Sequence, residues 1–156
     1  AVSKILLNLH VKPEIIVIAL LHDTLEDTEA SFKDLEEKFG FDIAKAVNAL
    51  THTKIIGSIH DLPEAKRREK HHLFLDTIKD PKAALVRIAD RLHNMRTIDF
   101  LSQERQKNNA LETVKMIAPL AKEIGVHGIE EELLKISHGI LCSEDFEDAQ
   151  KKSTMF

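Results

Sequence analysis

The sequence predicts an all-α fold, and three observations predict it. Apolar residues recur at three- and four-residue spacings along most of the chain. No segment sustains the alternation of a half-buried strand. Glycines and prolines are few, 5 and 4 among 156 residues, and are expected at helix boundaries.

Pro13 suits the first position of a helix that runs as an apolar stretch from Glu14 to about Leu25. Such a helix, apolar on all sides, is expected to be central. Ser31 opens S-x-x-D ahead of Leu35, a capping-box start, and Gly40 closes that helix. Asp42 is expected to cap the next, which carries Ile43, Ala46, Val47 and Leu50 at helical spacing. Residues 51–62 read as a loop. Pro63 restarts a basic helix, EAKRREKHH, that continues through Leu73, Phe74 and Ile78. Asp80–Pro81 pairs a cap with a first-position proline, and the stripe Ala84, Leu85, Ile88, Leu92 and Met95 follows. A further stripe is Leu111, Val114, Ile117, Ala118 and Ala121, with Pro119 expected to kink or interrupt it. A short last helix carries Ile129 to Ile136, and the acidic, polar residues 138–156 are expected to fray.

Length fits one domain with a substantial core. A net charge of −4 argues against a general binder of nucleic-acid polymers. No window is apolar enough to span a membrane. The single cysteine, Cys142, excludes an internal disulfide framework and fits a reducing cytoplasm. Oligomeric state is not fixed by these features, and a homo-oligomer stays open.

Two constellations carry chemistry. In LLHDTLEDT, residues 20–28, a packing run ends in His22, Asp23, Glu26 and Asp27. His22 and Glu26 are four apart, as are Asp23 and Asp27, so the groups share adjoining parts of one helix surface. A histidine with a carboxylate offers the mixed nitrogen and oxygen ligation that suits manganese, iron or zinc. Taken alone, a solvated acidic helix end is the commoner meaning of such a segment. In RIADRLHNMRT, residues 87–97, Asp90 stands beside an apolar stripe, with His93 and Asn94 three and four residues on. A carboxylate there is costly unless paired. Its plain reading is a pair with Arg87 or Arg91; its sharper one is a metal ligand from a distant helix. The basic run around Lys66 and Arg67, with Lys54 on the preceding loop, is either a solvated face or a wall for phosphates.

Taken in order, HDTLEDT and RIADRLHNMRT resemble the HD-domain hydrolases of the RelA/SpoT alarmone group. FKDLEEKFGFDIAKAVNALTHTK, ALETVKMIAPLAKEIGV and IEEELLKIS extend the resemblance over residues 1–137, leaving 138–156 as a tail. It is similar in extent to the small single-domain hydrolases, including the metazoan SpoT homologue. The resemblance implies a helical bundle with one divalent metal, usually Mn²⁺, between central helices. His22, Asp23 and Asp90 match its metal ligands, and a further histidine ligand falls before residue 1; His10 is in the wrong register to replace it. Glu26 and Asp27 match the catalytic acid pair, and Asn94 a residue near metal and substrate. Thr97 and the arginines of the same segment match the nucleotide-facing wall. The implied reaction removes the 3′-pyrophosphate of guanosine 3′,5′-bis(diphosphate), with Lys54, Lys66, Arg67 and Arg91 as phosphate contacts.

KNNALET departs from that pattern. Asn108, Asn109 and Thr113 stand near where the group often places a basic residue and an aromatic one. Two other functions stay open. One keeps the site but acts as an NADPH 2′-phosphatase or nucleotidase. The other is a metal-poor nucleotide-binding pseudo-enzyme, which metal quantification discriminates.

Overall fold

The computed structural model describes residues 2–22, 31–53, 63–66, 68, 69, 72 and 79–154. Among these residues there is no strand, as the periodicity requires. No helix among them is long and apolar enough to cross a membrane. Contacts divide the chain into two compact units, Ala1–Asp90 and Arg91–Phe156, each described in turn.

In the first unit, α1 (Val2–Asn8) packs on α2 (Pro13–Leu21), and α2 packs on α4 (Phe41–Thr53). The turn between α1 and α2 places His10 in the left-handed region, φ 55°, with its side chain exposed. Pro13 opens α2 as expected. Helix α3 (Phe32–Phe39) begins with the capping box read from S-x-x-D. Asp34 N–H donates to Ser31 Oγ at 3.3 Å, and Ser31 N–H donates to Asp34 Oδ2 at 2.9 Å. The bond from the Ser31 backbone lowers the Asp34 pKa. α4 starts at Phe41, directly after Gly40, so Asp42 lies inside the first turn and is not its cap. The helix also continues through 51–53, into the segment expected as loop.

Helix α5 (Pro81–Arg96) corrects the expectation about which helix is central. Every residue from Ala83 to Ala89 is buried, so burial covers all faces and not only the predicted stripe. In α2, by contrast, only Ile18 and Ala19 are buried, and Leu20 is 68% exposed. Small alanines at 83, 84 and 89 let α5 be surrounded closely, an advantage of side-chain size that does not depend on how apolar the helix is.

Two side-chain links align α2 with α5. Lys82 Nζ meets Glu14 Oε1 at 2.8 Å near their first turns. His22, the residue capping the C-terminus of α2, meets Asp90 eight residues further along both helices. Equal offsets of eight mean that the helices run side by side in the same direction over about 12 Å.

The second unit comprises the end of α5, a 3₁₀ turn at Ile98–Phe100, and helices α6 (Gln103–Glu112), α7 (Ala118–Ile124) and α8 (His127–Thr154). α8 packs on α6 and α7. Pro119 does not break the run. A π-helical segment, Thr113–Ile117, joins α6 to α7, and Ala118 N–H bonds back to Thr113 O. The extra residue in that turn rotates the following side chains out of α-helical register. Burial accordingly falls on Ile117, Ala118, Leu120 and Ala121, while Leu111 and Val114 of the predicted stripe are only half-buried.

α7 ends in a Schellman motif. Val126 N–H donates to Ala121 O at 3.0 Å and Gly125 N–H to Lys122 O at 3.2 Å, with Gly125 at φ 95°. α8 then runs to Thr154, so the expected short helix and frayed tail are replaced by 28 helical residues. Gly139 consequently sits inside a helix and not at a boundary.

Arg96 donates to Glu132 of α8 through Nε at 2.7 Å and Nη2 at 2.8 Å. These bonds hold the Glu132 carboxyl below its ordinary value of 4.5.

Gly125→Ala forces a side chain into the left-handed region and should destabilise by about 1 kcal/mol, whereas Gly139→Ala should stabilise by a similar amount. A Cβ at either position meets no atom within 4 Å, so urea unfolding of the two variants isolates the backbone effect. The Arg96–Glu132 pair sets a pH dependence. A folded pKa below the unfolded one contributes stability above the unfolded value, lost as pH falls through the folded value. Both side chains are more than one-third exposed, which limits the contribution to about 0.5–1 kcal/mol. Wild type and Glu132→Gln should differ in urea midpoint at pH 7 and converge as the pH falls below 4.5 through the folded value of Glu132.

Candidate functional site

His22 leaves the end of α2 with its ring tied to its own helix. Nδ1 lies against the Ala19 carbonyl. A carbonyl only accepts, so Nδ1 donates the hydrogen of that bond, and in the neutral ring Nε2 then carries the lone pair. Nε2 stands 3.9 Å from Asp90 Oδ1. That separation is too long for a hydrogen bond. Two metal–ligand bonds of about 2.1 Å reach at most about 4.2 Å, so one cation can touch both atoms at a wide angle. The side chains are 20% and 23% exposed, so both are partly desolvated. Fixing a ligating imidazole through its other nitrogen is the usual device at metal centres. A neutral imidazole nitrogen and a carboxylate oxygen thus fit a transition-metal or manganese ion.

Among the described residues no group of three metal-ligating side chains occurs. Asp23, Glu26, Asp27, Lys54 and Arg67 lie outside the described residues. Lys66 is described and exposed. No contact among the described residues joins it to His22 or Asp90.

In the second unit, a cleft of about 380 Å³ is lined by Asn94, Met95, Thr97, Ile98, Phe100, Leu101 and Asn109. The size suits a small-molecule ligand. Asn94 and Thr97, both expected near substrate, therefore line one cleft. Met95 and Ile98 are buried and form an apolar floor, whereas Phe100 is 92% exposed. Sequence reasoning did not single out Phe100 or Leu101. The available signal was an apolar pair directly after RIADRLHNMRT in a segment too short to bury it.

Arg91 differs from its expected role as a phosphate contact. Its Nη2 lies 2.6 Å from Glu112 Oε1, with both side chains 7% exposed, and its Nη1 donates to Asn109 Oδ1 at 2.9 Å. A guanidinium buried and engaged in this way serves the architecture of α6.

Comparison with known proteins gives this arrangement a context. Residues 1–127 match the family described as HD domain. The chain is 38% identical over 134 residues to a guanosine-3′,5′-bis(diphosphate) 3′-pyrophosphohydrolase of Aquifex aeolicus, covering 86% of this chain and 19% of that protein. It is 34% identical over 133 residues to the bifunctional (p)ppGpp synthase/hydrolase SpoT of Escherichia coli, covering 85% of this chain and 19% of that protein. The chain thus spans about one-fifth of the length of the curated relatives it matches. A solved structure described as a metazoan orthologue of SpoT that hydrolyses ppGpp superposes with a TM-score of 0.65 at 27% identity, covering 88% of this chain and 76% of that one. With more than half of its length matched, the chain belongs to the HD-domain family.

Proposed function

We propose that this chain is a metal-dependent phosphohydrolase that removes the 3′-pyrophosphate of guanosine 3′,5′-bis(diphosphate), releasing GDP, or GTP from the pentaphosphate. The observation that carries the reading is the His22–Asp90 pair. Its two ligand-type atoms come from residues 68 positions apart and meet at 3.9 Å. Relatives named for ppGpp hydrolysis, and a structural neighbour described in the same terms, support the choice of substrate.

His22 and Asp90, together with Asp23, would hold the ion, for which we propose Mn²⁺. Such an ion supplies Lewis-acid chemistry, polarising a phosphoryl oxygen and making water more acidic. The chain's own groups handle the protons. One carboxylate of Glu26 and Asp27 takes a proton from the attacking water, whose oxygen bonds to the phosphorus carried on O3′. The P–O3′ bond breaks, the other acid protonates O3′, and pyrophosphate leaves. Lys54, Lys66 and Arg67 are proposed to balance phosphate charge. Arg91 is left out of that role because Glu112 and Asn109 already engage it. Asn94 and Thr97 are proposed to contact the nucleotide. We further propose a cytoplasmic enzyme, consistent with a single free cysteine.

Asp90→Ala should abolish both manganese binding and pyrophosphate release, measured by metal quantification and by product identification with ppGpp. Full activity in that variant would remove Asp90 from the site. Orthophosphate from NADPH without pyrophosphate from ppGpp would assign the 2′-phosphatase activity instead. Stoichiometric manganese on the wild type would exclude a metal-poor pseudo-enzyme.

A further inference from the structure

Asn109 lines the cleft beside Asn94 and Thr97. Its carboxamide is held in one orientation. The Arg91 guanidinium has only donors, so the group 2.9 Å from Nη1 must be the amide oxygen. Asn109 Nδ2 donates to Arg105 O at 2.8 Å. Arg91 in turn is held by the buried Glu112 carboxylate. The direction of the amide is thus set by an ion pair with little access to water.

After these bonds the carboxamide retains one N–H and one carbonyl lone pair to offer a ligand. The rest of the cleft is apolar on its floor, at Met95 and Ile98, and at Phe100, which stands almost fully in solvent. Apolar walls suit the faces of a planar ring. A fixed carboxamide suits an adjacent donor and acceptor on a purine edge, the pairing that asparagine makes with nucleobases.

We propose that Asn109 is a specificity-determining residue that reads a donor–acceptor edge of a purine base, and that Arg91 and Glu112 are positioning residues holding its amide. The identity of the ligand as a nucleotide rests on the alarmone-hydrolase reading above. A wholly structural role predicts effects on stability alone; base reading predicts a change in the ratio between purines.

The test compares guanosine and adenosine 3′,5′-bis(diphosphates) as substrates of the manganese-loaded protein. Asn109→Leu removes the amide. Asn109→Ser leaves a polar hydroxyl beside Arg91 but removes the paired donor and acceptor of the carboxamide. In both variants the KM of the preferred purine should rise about tenfold, with kcat changed far less, and the purine preference should fall towards unity. Arg91→Lys should lose part of the preference. An unchanged preference in both Asn109 variants overturns the inference, as does a wild type that does not distinguish the purines. If the wild type cleaves neither substrate, the hydrolase reading fails, and the same ratio is read from calorimetric Kd values for GDP and ADP. The inference then survives only if the Asn109 variants reduce that ratio, and is overturned if neither nucleotide binds.

Discussion

The alignment of α2 with α5 is the constraint on which the metal-type pair depends. Glu14 and Lys82 fix one end of the two helices, and the same eight-residue step brings His22 to Asp90 at the other. A shift of one residue along either helix turns a side chain by about 100° and moves it 1.5 Å, enough to separate ligands that must both reach one ion. The close surroundings of Ala83–Ala89 resist such a shift, because a tightly packed helix cannot slide without opening voids. The chemistry of this end of α2 is therefore held by packing along the roughly two turns of α5 that precede Asp90. The bond from the His22 ring to Ala19 completes the arrangement by settling which nitrogen faces Asp90.

A second kind of constraint acts in the other unit. Arg91 and Glu112 are charges nearly removed from water, and such a pair is retained only when both partners are well satisfied. Arg91 finds two acceptors, Glu112 and Asn109, on one helix. The wall of the cleft is consequently built from a fixed charge and a fixed amide, while its floor is apolar. A polar group of defined orientation beside an apolar surface is a common basis for selective recognition of small molecules.

Much of the local architecture was legible in the residues themselves. Ser31 and Asp34 encode a capping box, and Pro13 encodes a helix start, because each acts within one turn of its own position. The expectations that failed involve competition between local signals. Pro119 was expected to interrupt a helix, but a π-turn absorbs it: Ala118 bonds five residues back and the chain continues. Asp42 looked like a cap, yet Gly40 and Phe41 let α4 begin before it. Residues 138–154 looked like a tail, yet one helix runs through Gly139 to Thr154.

By itself the sequence determined, through residue type and short spacing, that the chain is helical and that His22 and Asp90 carry the right atoms for a cation. The expectation that Asn94 and Thr97 lie near substrate came only from the family resemblance. Only the tertiary structure decided that α5, not the more apolar α2, is the buried helix, that Arg91 serves Glu112 and Asn109, and that Phe100 remains in solvent. Those outcomes depend on partners many residues away. Hydrophobicity favours burial without direction, and a guanidinium accepts any suitably placed oxygen, so only packing selects which helix and which acid win.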